Sequence, residues 1–142
     1  MADSAEQQPL HECLRANARH DPEATAYQWY GRSVTWAEID AGSEAFAARL
    51  QALGVAKGEP VALFMNNCPQ YVMAHYGIQK IGAIVCPCGP LNKEHELEYQ
   101  LGDLQARVIV SAAGLLPVVD KVRATTALAH VFVVHYADLL PE

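Results

Sequence analysis

The residues that first suggest chemistry are two thiols set two apart, Cys86-Pro87-Cys88, closing the apolar run Ile81-Gly82-Ala83-Ile84-Val85. Side chains two apart on an extended strand share a face, so the pair could form a redox couple or half of a metal site. A zinc site needs further ligands, and His75 and His95, the nearest histidines in sequence, fall on other elements. The four cysteines, at 13, 68, 86 and 88, contain no CxxC pair and no paired-knuckle spacing. In a reducing compartment they read as free, structural thiols.

Other chemical patterns are incomplete. The six histidines show no His-x-x-x-His or His-Glu-x-x-His spacing, and no G-x-S-x-G elbow supplies a nucleophile. A phosphate cradle needs consecutive free amides, usually with a lysine and a hydroxyl. Ser111-Ala112-Ala113-Gly114 lies between a strand and a helix but has one glycine and no lysine, and Ala41-Gly42-Ser43 sits inside a helix, where it reads as packing. Glu94, Glu96, Glu98 and Asp103 could be paired carboxylates for acid–base work, but around one helix they read as a solvated face, with His95 among them. No catalytic, cofactor-binding or metal-binding residue is assigned on these grounds.

The elements that position these residues follow from periodicity. After a polar leader over 1–9, expected to be disordered, Leu10, Cys13, Leu14 and Ala18 recur at helical spacing until Asp21-Pro22, predicting a helix over 10–19. Ala26–Tyr30 and Ser33–Trp36 are β-prone runs around Gly31-Arg32, which predicts a hairpin with a type II′ turn. Thr35 and Glu38 form a capping box for a helix whose stripe is Trp36, Ile39, Phe46, Leu50 and Leu53, with Gly54 at its left-handed end.

From Val61 the pattern changes. Val61–Met65 is a continuous apolar run suited to a strand buried on both faces. Cys68 or an adjacent Asn caps a helix with Pro69 in its first turn, apolar almost all round and ending at Gly82, so it should be buried between layers. A second buried strand is expected over 83–88, then a helix capped by Asn92 with Glu94 and Glu96 in its first turn. Arg107–Ser111, a helix over Leu115–Arg123 bent at Pro117, and His130–Val134 complete the series. The fold class is therefore α/β: an N-terminal hairpin, then a parallel sheet of about four strands with flanking helices.

Composition bounds the rest. The chain has 142 residues, 51% hydrophobic and 18% charged, enough for one core. A net charge of −6 with scattered Lys and Arg excludes the electrostatic footprint of a nucleic-acid binder. No apolar run approaches the roughly 20 residues of a membrane span, and the acidic start lacks the features of an export signal, so a cytoplasmic location is expected.

In order, Val34-Thr35-Trp36-Ala37-Glu38-Ile39-Asp40, Leu53-Gly54-Val55-Ala56-Lys57-Gly58-Glu59-Pro60-Val61-Ala62-Leu63, Asn67-Cys68-Pro69-Gln70-Tyr71, Lys80–Pro87 and Glu96-Leu97-Glu98-Tyr99-Gln100-Leu101 resemble the N-terminal part of acyl-CoA synthetases and other adenylate-forming enzymes. Asn67–Gln70 and Leu91–Tyr99 look most like the medium- and long-chain fatty acyl-CoA ligases. The resemblance implies a two-step reaction in which a fatty-acid carboxylate attacks the α-phosphate of ATP, with Mg2+, and coenzyme A then displaces AMP. It also implies that the chemistry lies elsewhere. The family's Ser/Thr/Gly-rich phosphate loop ending in Pro-Lys-Gly has no counterpart in these residues, and none of Lys57, Lys80, Lys93 or Lys121 matches the setting of its catalytic lysine.

Residues 10–142 are thus expected to be a front portion of an AMP-binding domain, inactive alone and without cofactor, and prone to self-association through its apolar helix. The alternatives are an aryl- or amino-acid-activating member of the same superfamily, a stand-alone non-catalytic α/β interaction module, and a thiol or zinc protein built on Cys86 and Cys88.

Overall fold

The computed structural model describes residues 8–141, so of the leader expected over 1–9 all but Gln8 and Pro9 lies outside the described residues. Helix α1 spans Leu10–His20 and leads into a hairpin of β1 (Thr25–Trp29) and β2 (Arg32–Thr35), followed by α2 (Trp36–Ala52). Then come β3 (Pro60–Phe64), α3 (Pro69–Lys80), β4 (Ile84–Cys88), α4 (Glu94–Leu104), β5 (Val108–Ala112), α5 (Leu116–Arg123) and β6 (His130–Val134). Short 3-10 turns precede α5 at Ala113–Leu115 and follow β6 at Tyr136–Leu139.

The four later strands pair in parallel in the order β4-β3-β5-β6. Alternation along β3 and β5 divides the core in two. Val61, Leu63, Val108 and Val110 face Leu50 of α2 and Ala74 and Ile78 of α3, whereas Ala62, Phe64 and Ile109 face Leu97 and Leu101 of α4 and Val119 and Val122 of α5. A third cluster, Leu14, Val34 and Ile39 with Val72, Met73 and Tyr76 against it, joins α1 and the hairpin to the outer side of α3. Helix α3 therefore lies between layers, as its all-round apolar sequence predicts, and every residue of it is buried or half-buried.

Caps fix where these helices start. Thr35 Oγ1 accepts from the Glu38 N–H at 3.2 Å while Glu38 Oε2 accepts from the Thr35 N–H at 2.8 Å, completing the capping box. Cys68 Sγ accepts from the Tyr71 N–H at 3.4 Å, and Pro69 occupies the first turn of α3. Gly54 and Gly82 both adopt left-handed φ after their helices. The contact of α2 with α3 is close because neither Gly42 nor Gly77 has a side chain. A Cβ on Gly77 would stand 2.8 Å from the Ser43 carbonyl oxygen, and one on Gly42 would stand 2.4 Å from Met73 Sδ.

The structure differs from the sequence reading at four points. The hairpin register pairs Trp29 with Arg32, so the two-residue turn is Tyr30-Gly31, not Gly31-Arg32. Both have positive φ, 45° and 88°, the pattern of a type I′ turn, which needs positive φ at both central residues where the expected type II′ turn needs it only at the first. β4 is an edge strand, with Ile84 exposed, rather than one buried on both faces. The cap of α4 is Lys93, whose N–H donates to Glu96 Oε2 at 2.6 Å, because the Asn92 side chain instead donates to Gln100 Oε1 at 2.8 Å. Pro117 lies in the first turn of α5, where its missing N–H disturbs nothing, so no bend forms.

Candidate functional site

The chain moves from β3 outward to β4 and then crosses back to β5 on the other side of β3. That reversal makes a switch point at the carboxyl ends of β3 and β5, where open α/β sheets place their ligand crevice. Three segments meet there: Asn66 and Asn67 after β3, Ser111 and Ala112 ending β5, and His135 and Tyr136 after β6.

Tyr136 ties them together. Its hydroxyl oxygen accepts from the Asn66 N–H at 2.8 Å, its carbonyl accepts from Trp29 Nε1 at 3.3 Å, and its ring lies 6.3 Å from that of Trp29. Gln70, in the first turn of α3, donates Nε2 to the His135 carbonyl at 3.2 Å, while its Oε1 is buried without a partner among the described residues. Beside it lies an apolar cleft of about 210 Å3 lined by Phe46, Met73, Ala74, Val110, Phe132 and Val134. The groups brought together are amides, aromatic rings and apolar side chains, which bind and position rather than transfer protons.

The residues singled out in the sequence go elsewhere. Cys86 and Cys88 do share a face of β4, and both are buried. Burial, with the neighbouring Cys86 thiol adding to it, pushes the Cys88 thiol up to about 11, and burial likewise raises Cys86 and Cys68, so the thiolate is disfavoured at all three. Their S–H groups turn to strand carbonyls, Cys86 to Ile84 at 3.7 Å and Cys88 to Cys86 at 3.8 Å. His75 packs on α3 between Tyr71 and Tyr76, hydrogen-bonded to Gln79 at 3.1 Å and lowered in pKa by burial. His95 is exposed on α4. Among the described residues no three His, Cys, Asp or Glu side chains come together as a metal-binding set.

Ser111 is fully buried, and its hydroxyl donates to the Ala112 carbonyl at 3.1 Å. Ser43 is equally buried and bonds the Asp40 carbonyl at 2.8 Å, so the Ala41–Ser43 stretch is helix packing. Of the acidic face of α4, Glu94 pairs with Lys121 and Glu96 serves the cap, while Asp103 is exposed. Lys80, whose side chain is only 2% exposed, is clamped by Asp40 at 2.5 Å and Glu44 at 2.8 Å, and that contact holds the Glu44 carboxyl below its usual range. Lys57 and Lys93 are exposed.

These residues do not fit ATP. The Asn66 amide at the switch point is taken by the Tyr136 hydroxyl, the Ser111 hydroxyl is buried on the Ala112 carbonyl, and among the described residues no lysine lines the crevice. No nucleotide step is therefore derived from them. The Trp29, Asn66, Gln70 and Tyr136 cluster escaped the sequence reading because its partners lie 65 to 107 residues apart and carry no local pattern.

Comparison with known proteins gives the family. The model of the family described as "AMP-binding enzyme" matches residues 14–142. A long-chain-fatty-acid–CoA ligase of Bacillus subtilis (strain 168) is 37% identical over 132 residues, covering 93% of this chain and 24% of that protein. Among solved structures, the N-terminal domain of FACL13 from Mycobacterium tuberculosis superposes with a TM-score of 0.82 at 30% identity, covering 89% of this chain and 34% of that one. The anthranilate CoA ligase AuaEII, in complex with anthranoyl-AMP, superposes with a TM-score of 0.84 at 30% identity, over 87% of this chain and 24% of that one. The chain spans about a quarter of the length of the curated relatives it matches. A hairpin joined to a doubly wound parallel sheet, matched by the family model over nearly its whole length, makes this chain a member of the AMP-binding enzyme family.

Proposed function

We propose that residues 10–142 are the N-terminal α/β portion of the AMP-binding domain of a medium- or long-chain fatty-acid–CoA ligase. The observation that carries this reading is the 37% identity to a long-chain-fatty-acid–CoA ligase over 93% of the chain. The ligase would activate a fatty acid with ATP and Mg2+ to an acyl-adenylate, releasing pyrophosphate, and pass the acyl group to coenzyme A. A cytoplasmic location goes with those substrates.

Within that enzyme these residues would supply the frame. The Thr35–Glu38 capping box and the α2–α3 crossing would hold the parallel sheet, while nucleotide binding and the catalytic lysine would fall to residues outside this sequence. Alone, the chain would be inactive and without cofactor, and would self-associate. The test is acyl-CoA formation, read by mass spectrometry, by the product of the complete reading frame that encodes these residues. Palmitoyl-CoA formed from palmitate, ATP and coenzyme A is the expected result.

A second reading changes only the acid. The likeness to an anthranilate CoA ligase is as close in fold and identity as that to FACL13, so the frame also suits a ligase that activates an aryl acid. Anthranilate or benzoate outcompeting palmitate in the same assay would replace the fatty-acid reading with this one.

A further inference from the structure

We propose that residues 135–139 form a strap over the switch point, opening and closing independently of the sheet, with Tyr136 as its latch. Open α/β sheets leave this crevice for ligands, yet here the chain's own segment crosses it. The attachment is three hydrogen bonds, the Asn66 N–H to the Tyr136 hydroxyl, the Trp29 indole N–H to the Tyr136 carbonyl and the Gln70 amide to the His135 carbonyl, together with the Tyr136 ring, which packs on Trp29 and the edge of the core. Within the strap His135, Ala137 and Asp138 are exposed, and only Tyr136 and Leu139 are half-buried.

A segment with so few buried contacts opens at much lower cost than the strands beneath it. By contrast, every residue of β5 is buried. Closed, the strap uses the Asn66 amide, the indole N–H and the Gln70 Nε2 group, leaving Gln70 Oε1 buried and unpaired among the described residues. Open, it frees the Asn66 amide and the indole N–H and leaves both Gln70 groups at the wall of the cleft that Phe46, Met73, Phe132 and Val134 also line. The strap thus gates hydrogen-bonding groups beside an apolar wall, a conformational device separate from the proposed ligase chemistry and independent of which acid is activated.

Amide hydrogen exchange on the 142-residue chain, read residue by residue, tests this. The amides of Asp138 and Leu140, which close the strap's own turns, should exchange about 100-fold or more faster than those of Val108–Ala112. Tyr136→Phe keeps the ring but removes the acceptor, so the Asn66 amide should exchange about tenfold faster, the loss of roughly one net hydrogen bond, with β5 unchanged. Trp29→Phe should speed Asp138 and Leu140 without affecting β5. Strap amides exchanging in step with β5, an Asn66 amide indifferent to Tyr136→Phe, or β5 loosened equally by that change would each overturn the proposal.

Discussion

At the scale of single residues, charge and burial decide what each candidate group can do. Cys88, pushed up to about 11, and the raised Cys86 and Cys68 stay protonated near neutral pH, whereas Cys13 is exposed. Brief alkylation at pH 8 should therefore label Cys13 alone in the native chain and all four cysteines after denaturation, as read by peptide mass spectrometry. Glu59 shows the opposite kind of shift. The Ala56 N–H and then Arg107 hold its carboxyl below the usual range, so the folded state binds the proton less readily than the unfolded state. Its contribution is fully present above the ordinary Glu value of about 4.3 and is lost as pH falls through the lowered folded value. In urea melts, Glu59→Gln should lie below the native chain at pH 7, and the two should converge at the acid end. The cysteine pair looked chemical in the sequence because spacing shows a shared face, but whether that face is wet or dry depends on α4, which spacing does not reveal.

At the scale of elements, local rules and tertiary order part company. The capping box at Thr35, the proline start of α3 and the buried run of β3 are each written in adjacent residues, and the structure forms them so. Removing the Thr35 hydroxyl by Thr35→Ala should cost about 1 kcal/mol in equilibrium unfolding. The edge position of β4 depends on strand order, although Pro87 was a usable signal. The Ile84 N–H points to Glu59 on the β3 side, so by alternation Pro87 faces the free edge, where no donor is needed. The α2–α3 crossing separates two glycines that look equivalent in sequence. Gly77→Ala drives a methyl group onto the Ser43 backbone and should destabilise by about 2 kcal/mol despite the gain in helix propensity. Gly42→Ala meets the flexible end of Met73 and should stay within about 1 kcal/mol of the native chain.

At the scale of the molecule, the serial order of elements carries most of the information. Hairpin, capped helix and alternating strands and helices were legible because each buries a face with its own period, and the serial motifs led to the family that the comparisons show. The switch-point cluster was not legible, since Trp29, Asn66, Gln70 and Tyr136 meet only when the sheet is assembled. The expectation of an unsatisfied α3 also takes a different form: α1, α2 and the hairpin cover that helix, and Ile84, Leu91 and Tyr99 are the exposed apolar side chains around β4 and α4. If the chain self-associates, as proposed, sedimentation should show a concentration-dependent shift; a monodisperse monomer at all concentrations would contradict it.

As proposed, these residues frame an adenylating ligase whose reacting groups lie outside them. Fatty-acid-dependent exchange of labelled pyrophosphate into ATP, measured side by side on the 142-residue chain and on the product of the complete reading frame, tests it most directly. No exchange by the chain alone and palmitate-dependent exchange by the complete product are expected. Exchange by the chain alone, or a complete product that exchanges with no carboxylic acid, would contradict it.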